Sequence, residues 1–184
     1  MPAKDSFRVA YDEHADFVGR LLRYMRVPPS EIEDAAQETF LALHLALHRL
    51  GGADEVKPYL FGIVKNVCSK RRRWTNRFVR HFVPTASSET LESAVDEQGP
   101  TPERQSLVNA EFDLLVRLLD TLDEAQRDLV ILVDCEDFTL DEVARHTGTN
   151  RNTVASRLHT ARAALQKALQ RELARDTWRL RWTT

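Results

Sequence analysis

The sequence predicts an all-α protein made of two small helical domains joined by a flexible linker. Three observations carry this. Apolar residues recur at helical spacing along most of the chain, strand-like alternation is weak, and one polar stretch with little to bury interrupts the pattern. The expected divisions are a domain over 1–82, a linker over 83–105 and a domain over 106–184.

The elements follow in order. Phe7 to Arg26 places Phe17, Val18, Leu21, Leu22 and Met25 on one side, and Pro28-Pro29 is expected to stop that helix. Ser30 with Glu33 has the form of a capping box opening a second helix, which is expected to run to about Leu50 with Ile32, Ala35, Ala36, Thr39, Phe40, Leu43 and Leu47 inside. Gly51-Gly52 ends it, and Pro58 suits the first turn of a third helix carrying Leu60, Phe61, Ile63, Val64 and Val67. The stretch VPTASSETLESAVDEQGPTPERQ is rich in Ser, Thr, Glu and Pro and reads as the linker, within which Pro102 opens the next helix. Leu107, Leu114, Leu115, Leu118 and Leu119 continue that helix; Thr121 with Glu124 is expected to cap another containing Leu129, Val130, Leu132 and Val133.

Phe138 to Leu165 then reads as two helices broken by a tight turn. Thr139 with Glu142 is a capping box, Gly148 stands where a helix ends in a left-handed residue, and Asn150 is a good cap for the second helix. Val154, Leu158, Ala161 and Leu165 must face inward, and no breaker follows, so this helix is expected to continue through Leu169 and Leu173. Asn152, Ser156 and His159 lie opposite the apolar stripe, flanked by Arg151, Arg157 and Arg162. Small hydrogen-bonding side chains between arginines suit a helix in a DNA major groove. An ordinary solvated helix pair has the same outline, but DNA binding is the reading the pattern favours.

Charge is distributed in blocks. The formal net charge is only −2, but Lys65 to His81 carries seven Lys/Arg and no acid, Glu111 to Glu142 carries eleven acids against two arginines, and Val143 onward carries nine basic residues against two acids. Opposite blocks imply different partners for different faces. Cys68 and Cys135 form no C-x-x-C pair and read as small apolar residues of a reducing compartment. No run approaches the ~18 apolar residues that span a bilayer, and the first residues lack an apolar signal core; no membrane insertion and a cytoplasmic location are expected.

Two further constellations carry chemistry. Asp34, Gln37, Glu38 and Leu41 share one largely polar helix face, either solvated or a docking surface for a basic partner helix. Tyr59 to Asn66, followed by Lys70-Arg71-Arg72-Arg73-Trp74, interleaves aromatics with cations, as suits melted or single-stranded nucleic acid. Leu60, Phe61 and Ile63 within it read as core, but four adjacent cations repel one another unless an anion is near.

An acidic DAAQETF helix, a short loop, a YLFGIVKN helix running into basic residues, a polar linker and a helix–turn–helix together resemble the sigma-70 family of bacterial RNA polymerase subunits, in the two-domain plan of the extracytoplasmic-function (ECF, group IV) type. The likeness covers about Phe7 to Leu169. It implies sigma region 2 in the first domain and region 4 in the second. Asp34, Gln37, Glu38 and Phe40 match the signature of the core-polymerase-binding region. The Leu50–Val56 loop and Asn66 match the parts that capture a flipped base of the −10 promoter element, with Tyr59, Lys65, Arg71, Arg72, Arg73 and Trp74 as the associated −10 contacts. Arg151, Asn152, Thr153, Ser156, Arg157, His159 and Arg162 fall on the helix that reads the −35 element. The implied partners are core RNA polymerase, promoter DNA and an anti-sigma factor; the implied role is promoter recognition with help in melting, the catalysis belonging to polymerase. The chain departs from the family pattern at Tyr59 (commonly Trp), Gly62 (commonly Arg) and Lys70 (commonly Asp). Gly62 costs a helix interior about 1 kcal/mol and is expected to leave room for a neighbour.

The linker's roughly 23 residues reach ~80 Å fully extended and ~25–30 Å relaxed, against ~70 Å between promoter elements two helical turns apart. The free protein is therefore expected not to hold both domains in their promoter-bound arrangement, and an anti-sigma factor to exploit this by clamping them together. Two other classes compete with this reading. A stand-alone helix–turn–helix regulator leaves the DAAQETF face and the aromatic-basic helix unexplained. An enzyme or metal protein would need more than His44 and His48 at i, i+4: no H-E-x-x-H, P-loop or G-x-S-x-G is present, so no catalytic residue, cofactor or metal is expected.

Overall fold

A computed structural model describes the backbone over 3–82 and 102–182 and the side chains over 7–73 and 109–175. Among the described residues there is no strand. The chain divides into two compact units, Met1–Glu97 and Gln98–Thr184. The expected linker falls outside the described residues over 83–101, while 102–105 already belong to a helix.

In the first unit, α1 (Ala3–Tyr24), α2 (Pro29–Ala46) and α3 (Val56–Phe82) pack on one another. Their apolar stripes meet: Val18, Leu21 and Leu22 of α1, Ala35 and Leu43 of α2, and Leu60 and Val64 of α3 are fully buried. Thr39 lies in the same core, where its hydroxyl donates to the Ala35 carbonyl at 2.8 Å and so leaves no polar atom wanting.

Helix ends in this unit differ from expectation. The prolines do not stop α1. It closes earlier, through a left-handed Arg26 (φ 59°), with Arg26 N–H on the Arg23 carbonyl and Val27 N–H on the Leu22 carbonyl. Nor does Ser30 cap α2. Pro29 takes the first helical position and Pro28 the cap, so no side chain closes the turn and Glu31 N–H bonds the Pro28 carbonyl instead. The helix ends at Ala46 rather than Leu50, tightening into 3₁₀ turns at Leu47–Arg49 and Ala53–Glu55.

The second unit holds α4 (Pro102–Leu119), α5 (Glu124–Val130), a wide π turn (Ile131–Cys135), α6 (Leu140–Thr147) and α7 (Arg151–Trp182). The cap of α5 is Asp123, whose carboxylate accepts from Gln126 N–H at 2.8 Å; Thr121 instead donates to the Leu118 carbonyl. Val143 of α6 and Val154, Leu158 and Ala161 of α7 are buried, and α7 packs on both α5 and α6. The expected continuation of α7 is present: one helix runs unbroken to Trp182.

Candidate polymerase and nucleic-acid interfaces

The helix–turn–helix is built by local chemistry. Thr139 and Glu142 form the reciprocal capping box that opens α6. Gly148 (φ 62°) closes it, with Gly148 and Thr149 N–H groups returning to the Arg145 and Ala144 carbonyls. Asn150 then starts α7, accepting from Asn152 N–H at 2.8 Å. With Val154, Leu158 and Ala161 turned inward, Asn152, Thr153, Ser156, Arg157 and His159 are exposed together, as the periodicity predicts.

Two arginines at the margins of this surface have protein partners that the sequence did not reveal. Arg151 meets Asp141 of α6 at 3.3 Å. Arg162 makes a two-pronged pair with Asp134 of the π turn, one bond being 3.1 Å from Nε, and this holds its guanidinium above its ordinary pKa. Two parallel N–H···O bonds fix a guanidinium plane as well as its charge.

On α2, Asp34 and Gln37 are exposed and Glu38 is half-buried. Phe40 is not part of that surface: it is 3% exposed and its ring lies 4.6 Å from Tyr11, centroid to centroid, so it supports α2 from beneath. The apolar members of the outward face are Leu41 and Leu45, 61% and 66% exposed. Leu45 was missed in the sequence, although it continues the Asp34, Glu38, Leu41 stripe at helical spacing.

On α3, Tyr59 and Asn66 are exposed and Lys65 is half-buried; the Trp74 side chain lies outside the described residues. Nothing approaches within 4 Å of a Cβ placed on Gly62, so the room expected there is not used by a neighbour. The basic run finds its anions partly within the fold. Lys70 Nζ lies 2.9 Å from Glu38, and Arg71 bridges Glu31 at 3.1 Å and Glu38 at 3.5 Å, while Arg72 and Arg73 point to solvent. Intramolecular carboxylates thus relieve part of the cation repulsion that the sequence alone assigned to an outside anion.

The loop between α2 and α3 is held by Gly51 N–H donating to the Glu55 carboxylate at 2.8 Å. Behind it, toward α1, lies a cavity of about 370 Å³ walled by Val9, His14, Leu47, Leu50, Ala53 and Val56. Burial there lowers the His14 pKa, with Lys57 adding to the effect against the opposing pull of Glu13. His44 packs its ring edge-on against Phe7 at 4.9 Å, and among the described residues no three His, Cys, Asp or Glu side chains gather as a metal would need. No helix among them is long and apolar enough to cross a membrane.

The family model for Sigma-70 region 2 matches residues 10–78, and that for Sigma-70 region 4 matches 112–165. RNA polymerase sigma factor NccH of Alcaligenes xylosoxydans xylosoxydans is 30% identical over 165 residues, covering 90% of this chain and 87% of the relative. The chain belongs to the sigma-70 family. ECF RNA polymerase sigma factor SigL of Mycobacterium tuberculosis is 31% identical over 89% of this chain and 88% of its own length, which agrees with the ECF type. Two solved folds match this sigma factor with a TM-score of 0.64 and 19% identity each. One is CnrH in complex with the cytosolic domain of CnrY, covering 91% of this chain and 89% of that one. The other is the sigma factor RpoE in complex with the anti-sigma factor NepR from Bartonella quintana, covering 90% and 97%. Sigma factors are non-enzymatic initiation factors of transcription, and this one directs core RNA polymerase to promoters.

Proposed function

We propose that this sigma factor divides promoter recognition between its two units. Region 2, within 1–82, binds core polymerase through the α2 face of Asp34, Gln37 and Glu38 and engages the −10 element through Tyr59, Lys65, Asn66 and the cations of α3. Region 4, within 106–184, reads the −35 element through Asn152, Thr153, Ser156, Arg157 and His159, with Arg151 and Arg162 at the margins. The linker 83–105 joins them. The observation that carries this reading is the exposed polar row on α7, set outward by a helix–turn–helix whose caps are all satisfied locally. Its side chains offer the amide, hydroxyl, imidazole and guanidinium groups that pair with base edges and phosphates.

The protein acts in the cytoplasm, where polymerase is. An anti-sigma factor is its regulator: RpoE was solved with one, NepR, and CnrH with the cytosolic domain of CnrY.

The test is equilibrium binding to bacterial core polymerase followed by run-off transcription from genomic DNA. Asp34→Arg is expected to weaken core binding and leave region 4 contacts with −35 duplex unchanged. Arg151→Ala is expected to cost −35 recognition about 1–3 kcal/mol if it contacts a base, with core binding intact. If both variants fail at the same step, the division of labour is wrong. If the wild-type protein shows no core binding, a stand-alone DNA-binding regulator replaces this reading.

A further inference from the structure

Glu38 belongs to two surfaces at once. It stands on α2 beside Asp34 and Gln37, on the face proposed to meet polymerase. Its carboxylate also carries the cations of α3: one oxygen lies 2.9 Å from Lys70 Nζ and the other 3.5 Å from Arg71 Nη2. The two cations are not held alike. Arg71 is 27% exposed in its side chain and has a second carboxylate, Glu31, at 3.1 Å. The Lys70 side chain is 78% exposed, and among the described residues its carboxylate partner is Glu38. An ammonium on a flexible, solvated stem changes partners at little cost, whereas a half-buried guanidinium between two carboxylates does not.

We propose that Glu38 is an exchange point that couples polymerase binding to nucleic-acid binding. When a basic polymerase group takes the Glu38 carboxylate, Lys70 is released to a phosphate of the promoter strand, while Arg71 stays anchored on Glu31. Every charge keeps a counter-ion through the exchange: Lys70 trades a carboxylate for a phosphate, and Glu38 trades Lys70 for a polymerase cation. Coupling of this kind is reciprocal, so a bound strand that holds Lys70 also frees Glu38 for polymerase. The proposal rests on the assignment of α2 to polymerase and α3 to nucleic acid given above. It assigns Lys70, at which this chain departs from its family's pattern, a positioning role toward the polymerase face as well as a contact with DNA.

The experiment measures binding of the full-length protein, Glu38→Gln, Lys70→Gln and the double variant to a fluorescent mixed-sequence single-stranded oligonucleotide and to core polymerase, across a salt series. Lys70 is exposed and Glu38 half-buried, and matching thermal melts establish that the variants fold. Glu38→Gln is expected to bind the oligonucleotide about two- to five-fold more tightly, with a salt slope steeper by about 0.7, as one added phosphate contact requires. Most of that gain disappears when Lys70 is also Gln. Lys70→Gln is expected to tighten core binding by a similar factor, and not when Glu38 is already Gln. An equal oligonucleotide gain with and without Lys70 reports only the removal of a negative charge; it overturns the exchange and leaves α3 as a strand-binding surface. Core binding with no oligonucleotide binding by any variant overturns the assignment of α3 itself, and the exchange with it.

Discussion

Replacing Gly62 by Ala adds one methyl group to the middle of α3, and its effect follows from two quantities. The first is the conformational freedom that Gly gives the unfolded chain, which makes it about 1 kcal/mol poorer than Ala in a helix interior. The second is the cost of overlap, and here there is none, because nothing lies within 4 Å of the added carbon. The substitution should therefore stabilise region 2 by about 0.8–1 kcal/mol, a rise of roughly 4–8 °C in the midpoint of a two-state unit of this size. Gly148→Ala is the matched opposite. Space is equally open there, but φ is +62°, where an L side chain costs about 1–2 kcal/mol; after the gain from a stiffer unfolded chain, about 0.5–1.5 kcal/mol is lost. Scanning calorimetry of the full chain reads both, with Gly19→Ala in α1, also free of neighbours, as a second stabilising case. Because the chemistry is the same at all three positions, the sign isolates backbone conformation. A midpoint lowered by Gly62→Ala would refute the reasoning and mean that α3 uses the missing side chain.

Three further predictions follow from single contacts. Asp134→Ala and Arg162→Ala should be non-additive in thermal stability, with a coupling of about 0.5–1 kcal/mol for this solvent-facing, two-pronged pair, and a cycle that sums to zero would show the pair contributes nothing. Cys68, whose thiol burial pushes to about 11 despite the opposing field of Arg72 and Arg71, should resist alkylation of the native protein at pH 8, where only about one molecule in a thousand carries the thiolate; labelling as fast as that of a free thiol would contradict the buried site. His14 and His146 both have pKa values lowered by burial from 6.5, so the unfolded chain binds protons first: stability is full above about pH 6.5 and declines as pH falls below it, a decline that His14→Gln should reduce and that denaturant titrations between pH 7.5 and 5.5 would read.

The recognition half of the molecule was the most legible part in the sequence. Thr139, Glu142, Gly148 and Asn150 act on backbone groups a few residues away, and interactions of that span are set by the chain's own connectivity. The buried stripe of α7 was legible for the same reason, since helical periodicity alone turns Val154, Leu158 and Ala161 to one side and Asn152, Ser156 and His159 to the other. Even local reading faltered where neighbours competed. At residues 28–30 two prolines displaced a serine as the start of α2, and at 121–124 Asp123 outbid Thr121, because a cap is won by whichever residue the incoming chain direction places at the helix mouth. Phe40 matched a functional signature by spacing yet packs inward on Tyr11, a contact that exists only once α1 lies against α2. The ion pairs between distant residues were illegible. Arg162 with Asp134, Lys70 with Glu38 and Arg71 with Glu31 join residues 28, 32 and 40 positions apart. Sequence determined the helices, their polar and apolar faces and the family's order of parts, because those depend on neighbours within a turn or two. Which cations are already neutralised and which face outward was decided only when α2 met α3 and the π turn met α7, since a charge pairs with whatever the packing of whole helices brings within 4 Å.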